Sequence, residues 1–499
     1  VTEPDVDVLI AGGGPVGLLL ANELRKRGVP VVVAEATETI RQEPRAGTLH
    51  ARTVQSLTRS GYLNAPDGNS SGKHSVPFHF AGLSGLTIHS PASEGNPLLN
   101  LPQEELERDL ERSARQRGTD LRRGHRVTGI RPHDTAVEVT VESPRGEYSV
   151  RASYVVGADG ARSTVREQAA VTNDTRSPTF GAVLGMVRLT EPDKVPGGWS
   201  QGPTGWTLIN PNPTGHSRVI AHEFTRPLPD HRSPLDLTEL RTRTSRILGF
   251  EVGMSDPDFL TRFSDFCRLA DSFRTGRVLL AGDAAHVHSP LGGQGVNLGL
   301  QDALNLGWKL SLVVSGSAGE DLLDGYHAER WAAARRVVDN TRAQAALMRP
   351  GEEVDRLREL FGELLELDEA NELVQRRISG QAVTYEPLDP TDTLHEGRFQ
   401  PNLGLTGPDG RTSVVELLTP GNGVLLLGQH ACPALEDAAR AWKDRVEVHR
   451  VDPDEPQRWN AALLRPDGYL AWTDAAGDVS ATGLERHLTH YFGPAATAH

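Results

Sequence analysis

The stretch Gly276–Leu310, GRVLLAGDAAHVHSPLGGQGVNLGLQDALNLGWKL, decides how the rest of the chain is read. Val278 to Ala281 is a short apolar run that suits a fully buried strand, and Gly282-Asp283 breaks it at the strand's carboxyl end. A carboxylate therefore stands at the ligand-binding edge of a sheet. From Gly295 a helical pattern starts, with Val296, Leu300, Ala303, Leu304, Gly307 and Trp308 falling on one face. The amino end of that helix is Pro290-Leu291-Gly292-Gly293-Gln294-Gly295. Glycine lets a ligand come close to the backbone there, and free N–H groups with the helix dipole favour an anion by roughly 0.3–2 kcal/mol each. The stretch reads as a site for a ligand that needs both a hydroxyl acceptor and stabilised negative charge.

A second glycine turn lies near the amino terminus. Asp7 to Ile10 makes an apolar strand, Gly12-Gly13-Gly14-Pro15-Val16-Gly17 opens a helix running to Arg27, and Val31 to Ala34 makes a second strand ending in Glu35. This is G-x-G-x-x-G in a strand–turn–helix–strand context, followed by an acid at the end of the next strand. The pattern places a pyrophosphate on the helix amino end and a ribose hydroxyl on Glu35.

Three ordered segments now resemble a known family. Gly12 to Gly17, Gly157-Ala158-Asp159-Gly160-Ala161-Arg162-Ser163, and Gly282-Asp283 with Pro290 to Gly295 are similar to the three fingerprints of the FAD-dependent group A aromatic hydroxylases. Arg45 to Thr53, Arg122 to Val127 and Leu464-Arg465-Pro466-Asp467-Gly468-Tyr469 match further. Within that superfamily the chain is most similar to monooxygenases that tailor aromatic polyketides in antibiotic biosynthesis, and the resemblance covers nearly its whole length. It implies an α/β fold: a Rossmann-like FAD-binding domain of the p-hydroxybenzoate hydroxylase type, an antiparallel-sheet substrate domain and a thioredoxin-like C-terminal domain. The expected division gives residues 1–76, 101–175 and 262–385 to the FAD-binding domain and 77–100 and 176–261 to the substrate domain. Residues 386–408, rich in Pro, Asp and Gly, are the linker, and 409–499 the last domain.

Composition fits a soluble enzyme. In 499 residues, Lys+Arg 52 against Asp+Glu 66 leaves a net charge of −14, which argues against nucleic acid or an anionic membrane as partner. Two cysteines, Cys267 and Cys432, exclude a disulfide framework and suit a reducing cytoplasm. Glu3, Asp5 and Asp7 are not a signal-peptide n-region. A monomer or homodimer is expected.

The resemblance also assigns residues. FAD would be tightly bound by Gly12, Gly14, Pro15, Val16 and Gly17 at the pyrophosphate, Glu35 and Ala36 at the adenosine, and Val127 through its backbone at the adenine. Gln103 would meet the ribityl side, although it could equally cap the helix Glu104–Arg117. Asp159 would support the cofactor, with Arg162 as a weaker candidate for nicotinamide contact. Asp283 would accept from the ribityl hydroxyls, while Pro290, Gly292, Gly293, Gly295, Val296 and Asn297 would hold the flavin ring. Arg45 would lie against the flavin, the alternative being a solvated loop arginine. Arg45, Pro290 and Gly293 are the catalytic candidates, since Pro290 to Gly293 would border the place where oxygen is activated.

From Arg176 to Thr261 short alternating runs, Val183 to Leu189 and Arg218 to Phe224 among them, suit an antiparallel sheet with one covered face. Phe180, Trp199, Trp206 and Phe224 are candidate walls of a substrate pocket, or plain core. Two other patterns are set aside. Gly68-Asn69-Ser70-Ser71-Gly72 matches a hydrolase motif but lacks the buried strand a nucleophile elbow needs. His286 and His288 lack enough partners for a metal. In the last domain Gln429 precedes Cys432 where a Cys-x-x-Cys would need cysteine, so that domain reads as structural or for assembly.

One complete dinucleotide fingerprint leaves FAD the permanent site and NADPH or NADH a transient one, with molecular oxygen as co-substrate. The function implied is hydroxylation of a polycyclic aromatic polyketide through a flavin hydroperoxide. Baeyer–Villiger insertion beside a ketone is the alternative within the same chemistry, and a non-catalytic flavoprotein that sequesters a polycyclic ligand is the alternative outside it.

Overall fold

The computed structural model describes residues 3–64, 74–224, 233–390, 396–474 and 480–496; the Ser70 motif lies outside them. Its first layer is a parallel sheet. Strands β1 (Val6–Ala11), β2 (Val31–Glu35), β3 (Asp120–Arg123), β4 (Gly146–Gly157) and β5 (Val278–Leu280) stand in the order β3-β2-β1-β4-β5. The winding direction reverses between β1 and β4, and that reversal opens a crevice at the strands' carboxyl ends. Residues Val8 to Ala11 and Val31 to Ala34 are buried throughout, as unbroken apolar strands covered on both faces must be. Helix α1 (Pro15–Lys26) packs on α2 (Gly295–Val314), which is followed by α3 (Leu322–Leu347).

The run Arg122 to Val127 falls on two strands. The chain breaks at Gly124, with φ of 72°, and turns from β3 into an antiparallel ribbon of Arg126–Pro132 and Val137–Ser143 that extends β4. A short helix begins at Thr164, because the Ser163 hydroxyl accepts the Arg166 N–H and fixes the cap there.

The second layer is a five-stranded antiparallel sheet, in the order Gly198–Gly202, Gly205–Asn210, Ser217–Glu223, Gly181–Leu189, Met254–Ser264. One face is covered by a helix absent from the sequence reading, Leu237–Leu248, capped by Asp236 and ended by Gly249 at φ 79°. Leu240 and Ile247 on that helix pack with Val183, Val187, Ile209 and Val219. Toward the other side lies a hairpin of Ser75–Phe80 and Leu83–His89, against which helices Glu352–Leu365 and Asp368–Ile378 rest.

The last domain has a four-stranded sheet in the order Val446–Arg450, Gly423–Leu427, Ala461–Leu464, Leu470–Thr473, the third strand antiparallel to the others. That is a thioredoxin-like arrangement, closed by helix Ala481–Phe492. A helix over Pro433–Ala439 tightens to 3₁₀ over Arg440–Trp442. The expected linker loses its end, because Gly404–Gly407 is already a strand of this domain, paired with Gly410–Ser413.

The domain is docked through buried charge. Arg465 donates to both oxygens of Glu329 on α3, each at 2.8 Å, and to Asp467 at 2.6 and 3.0 Å. Asp467 also accepts from Asn305 and Trp308 of α2. No helix among the described residues is long and apolar enough to cross a membrane.

Candidate functional site

The crevice between β1 and β4 is built by close backbone approach. Gly12 has φ of 106°, and a Cβ there would lie 2.3 Å from the Ala158 carbonyl oxygen, so the turns after the two strands touch only because Gly12 has no side chain. Gly14 differs: a Cβ there would meet nothing within 4 Å, so open space stands at the amino end of α1. Pro15 and Val16 begin that helix, and no side chain caps it. Glu35 accepts from the Gly13 N–H at 2.6 Å through one oxygen and from Thr37 N–H and hydroxyl at 2.8 and 2.6 Å through the other. The carboxylate expected to hold a ribose therefore also ties the glycine turn to β2. Ala36 follows it at the same edge, and Val127 is buried in the neighbouring ribbon.

Across the crevice, Asp159 accepts from the Val165 N–H at 3.2 Å with one oxygen, while its other oxygen is buried without a partner among the described residues. Burial pushes this carboxyl up, against the Ser163 and Val165 hydrogen bonds that lower it. An unpaired buried acceptor at a sheet edge is a place for a ligand hydroxyl. Arg162 is exposed beside it. Asp283, in the turn after β5, keeps exposed surface although protein surrounds it closely. Burial raises its carboxyl too, with His286 and Arg45 pulling the other way.

The glycine turn before α2 is left-handed at both Gly292 (φ 73°) and Gly293 (φ 65°), two residues before the amino end of the helix. The first N–H groups of the helix, from Gly295 through Val296 to Asn297, lack intrahelical acceptors, and no side chain caps them. Gly293 and Pro290 are exposed on the cleft side. The Asn297 side chain points elsewhere than a ligand. Its oxygen accepts the His50 N–H at 2.8 Å, and its amide donates to the Thr48 and Gly293 carbonyls at 3.0 and 2.8 Å.

Gln103 neither caps its helix nor stands free. It is the first helical residue after Pro102, its N–H donates to the Ala46 carbonyl, and its side chain donates to Glu107 at 2.6 Å. The effect is to hold the loop that carries Arg45. Arg45 itself is about half exposed, with only a 3.4 Å pair to Glu43, and it lies close enough to Asp283 and Glu107 to act on both carboxyls.

The aromatic candidates divide. Phe180 is fully buried, and Trp206 is buried with its indole N–H donated to the Met348 carbonyl at 2.9 Å, so both are core. Trp199 and Phe224 are half-buried and remain partly open. They join Phe78, Phe263 and Leu291 of the glycine turn in one cluster, so apolar and aromatic side chains adjoin Gly292 and Gly293. His286 donates to Asp302 at 2.7 Å, and His288 donates to the Ser289 carbonyl, so the two imidazoles serve separate hydrogen bonds.

Comparison with known proteins fits this geometry. An FAD binding domain model matches residues 5–341, and an aromatic-ring hydroxylase C-terminal model matches 393–495. The chain belongs to the FAD-dependent aromatic-ring hydroxylases. It is 38% identical to a 12-dehydrotetracycline 5-monooxygenase/anhydrotetracycline 6-monooxygenase of Streptomyces rimosus, over 98% of this chain and 99% of that one. It is 36% identical to a rifampicin monooxygenase of Rhodococcus hoagii, over 98% and 99%. Among solved structures, an anhydrotetracycline hydroxylase from Streptomyces rimosus superposes with a TM-score of 0.88 at 36% identity, covering 98% of this chain and all of that one.

This hydroxylase is thus a flavin monooxygenase with FAD as cofactor, and the residues present suit that group: open space at Gly14, an unpaired Asp159 oxygen, and uncapped N–H groups on α2. Sequence reasoning missed Asp302. It is wholly buried on α2, accepts the Gly282 N–H at 3.1 Å and pairs with His286 and Arg330, both at 2.7 Å. It therefore fixes the turn that presents Asp283. The available signal was a carboxylate next to Ala303 on the apolar face of the hydroxylase's central helix.

Proposed function

We infer that this hydroxylase adds one oxygen atom to a polycyclic aromatic polyketide, using NADPH or NADH and molecular oxygen. The observation that carries the reading is the cluster of half-buried aromatic side chains beside the Gly292–Gly293 turn. A flat apolar ligand stacked there would face whatever the uncapped end of α2 holds. Bound in the crevice, FAD supplies electron transfer from the nicotinamide and the activation of oxygen.

The protein's share is binding and orientation. Gly12, Gly14 and the start of α1 take the pyrophosphate, Glu35 the ribose, Ala36 and Val127 the adenine side, and Asp159 and Asp283 the hydroxyls between. Gly295, Val296 and the backbone N–H of Asn297 stabilise negative charge on the ring. Arg45 positions the ring's open edge, and Pro290 to Gly293 border the oxygen site, from which the aromatic cluster excludes water. The division into an FAD-binding domain, a substrate sheet with its hairpin and a docked C-terminal domain belongs to the same reading.

A second reading has one finding in its favour: the chain is also 36% identical, over 98% of its length, to a dialkyldecalin synthase of Streptomyces rugosporus, whose name denotes no oxygenation. The test is to incubate the yellow protein with NADPH and anhydrotetracycline under labelled oxygen. Substrate-stimulated NADPH oxidation with one labelled atom in the product supports hydroxylation. A product isomeric with its substrate supports the second reading, and a ring-expanded product, told apart by fragmentation, would assign oxygen insertion.

A further inference from the structure

The helices Glu352–Leu365 and Asp368–Ile378 carry an outer apolar face that no other described part of the chain covers. Leu357, Leu360 and Leu364 are 52, 53 and 43% exposed, and Leu367 and Leu373 are 54 and 53% exposed. Apart from Phe250, no other large apolar side chain among the described residues is as open, so the exposure is concentrated in one patch rather than scattered. Leu357, Leu360, Leu364 and Leu367 recur at steps of three, four and three, the spacing of a seam by which one helix packs on another. The inner side of the pair is already full. Phe361 stacks on Phe80 of the hairpin with centroids 5.2 Å apart, and the buried Arg358 donates to the Arg349 carbonyl at 2.9 Å. On the second helix Asn371 donates to the Gly85 carbonyl at 2.8 Å and accepts the Thr87 N–H at 3.1 Å. Turning the leucines inward would break these contacts, so the outer face stays open.

The charges around the leucines identify the occupant. Glu353 and Glu363, exposed beside the seam, form no ion pair among the described residues, whereas Arg356 is taken by Glu359 at 2.9 Å and Arg358 by Asp355. The end of the second helix has the opposite sign: Arg377 is exposed with no acid partner among the described residues, and Arg376 meets Glu372 only at 3.9 Å. One half of the face therefore offers free acids and the other free bases, which makes the face complementary to itself. A two-fold axis brings the same patch of two copies together and forms each contact twice. Laying the first helix on its own mate would set Glu353 and Glu363 against like charges. Laying it on the second helix of the other copy sets them against Arg376 and Arg377. The net charge of −14 drives copies apart elsewhere, so a self-contact has to be locally mixed in sign, as this one is. Five half-exposed leucines offer on the order of 400 Å² of apolar surface, a core that the charged rim extends toward the roughly 800 Å² per partner of a stable interface.

We propose that this leucine face is the contact between two copies of the chain, the helix Glu352–Leu365 of one lying on the helix Asp368–Ile378 of the other. The leucines form its dry centre, and Glu353 and Glu363 face Arg376 and Arg377 at both of its ends.

The test is sedimentation equilibrium of the FAD-loaded full chain at low salt, from about 1 to about 100 μM. The wild type should dimerise with a dissociation constant of about 10 μM or tighter. Leu360→Glu with Leu364→Glu should be monomeric over that range while its flavin absorbance and circular dichroism stay those of the wild type. Two charge variants read the geometry. Glu353→Arg with Glu363→Arg, and Arg376→Glu with Arg377→Glu, should each weaken self-association about tenfold or more, because each sets like charges together at both ends of the contact. Mixed in equal amounts, the two should pair with each other to within about threefold of the wild-type constant, since opposite charges then meet at both ends. A wild type that stays monomeric, a leucine variant that still dimerises, or a mixture no tighter than its parts would overturn the proposal. So would a monomeric wild type that binds phosphatidylcholine vesicles through these leucines, which would assign the face to a lipid surface.

Discussion

Gly14 and Gly17 show how differently two glycines of one turn are used. Gly14 has φ of −79° and ψ of −174°, a backbone any residue adopts, and open space where its Cβ would stand. The apoprotein has no need of glycine there, so the requirement must come from the ligand. Gly14→Ala should leave apoprotein stability unchanged or raised by about 0.4–1 kcal/mol, yet weaken FAD binding. Gly17→Ala should act on the fold, because its Cβ would lie 2.0 Å from the Gly12 carbonyl oxygen. Thermal melting of the apoproteins together with FAD titration separates the two; equal FAD affinity for Gly14→Ala and wild type would refute the pyrophosphate assignment. Arg45 is argued on the same scale. Its half-exposed pair with Glu43 contributes little, so Arg45→Ala should change stability by no more than about 0.5 kcal/mol. Turnover with substrate should fall about tenfold or more, through lost positioning at the flavin. Normal steady-state rates would return Arg45 to the status of a loop arginine.

At the scale of elements, the amino end of α2 must be both held and left bare. Asn297 holds it, spending its whole side-chain amide on the strand Thr48–His50 and the glycine turn. Asn297→Ala removes three buried hydrogen bonds and should cost about 2–4 kcal/mol, read from urea unfolding. A smaller change than about 1 kcal/mol would mean the helix end is fixed by other contacts. Gly293 leaves it bare. A side chain there would make only ordinary contact with His50, its Cβ 3.6 Å from Nε2, so the strain of Gly293→Val is confined to a φ of 65° and to the space in front of the helix. The variant should keep its circular dichroism but either lose its yellow colour or release hydrogen peroxide in place of product. Full coupling of NADPH oxidation to product in Gly293→Val would show this turn to be only a connection.

For the whole molecule, the buried charges that join the C-terminal domain to α2 and α3 set the acid limit of the fold. Burial alone would raise Asp302 and Glu329, but Asp302 is held below the ordinary carboxylate range by His286 and Arg330, and Glu329 by Arg465 and Lys309. Groups depressed in the folded state contribute stability that is complete above their unfolded values and is lost as pH falls through the folded ones. Melting temperature governed by these carboxylates should therefore be flat from neutrality to about pH 5 and drop steeply below about pH 4. Glu329→Gln should lower the plateau and make that drop shallower. A variant with the same acid profile as the wild type would show that the docking contact does not control stability. Lys309 has the same sign in an alkaline window. Burial pushes it down to about 8, so its part of the fold's stability is gained as pH rises from there toward the value of a free lysine.

The sequence by itself determined the class of fold and the cofactor. A strand buried on both faces is written as one apolar run, and a phosphate turn is written in the spacing of Gly12, Gly14 and Gly17, so both are local signals. The turn at Gly282-Asp283 and the uncapped helix at Gly295 were legible for the same reason. What the tertiary structure decided are pairings between distant residues. Asp302 meets Arg330 and the turn before Asp283, and Arg465 meets Glu329 across more than a hundred residues. The helix Leu237–Leu248 lies between these cases: Asp236 and Gly249 mark its ends, but the surrounding Pro, Thr and alternating strands hid it. Gln103 and Asn297 are the clearest limit. Their type and position said that they stand near a ligand, and only packing showed that both side chains bind the protein, because a hydrogen bond goes to whichever partner folding brings within reach.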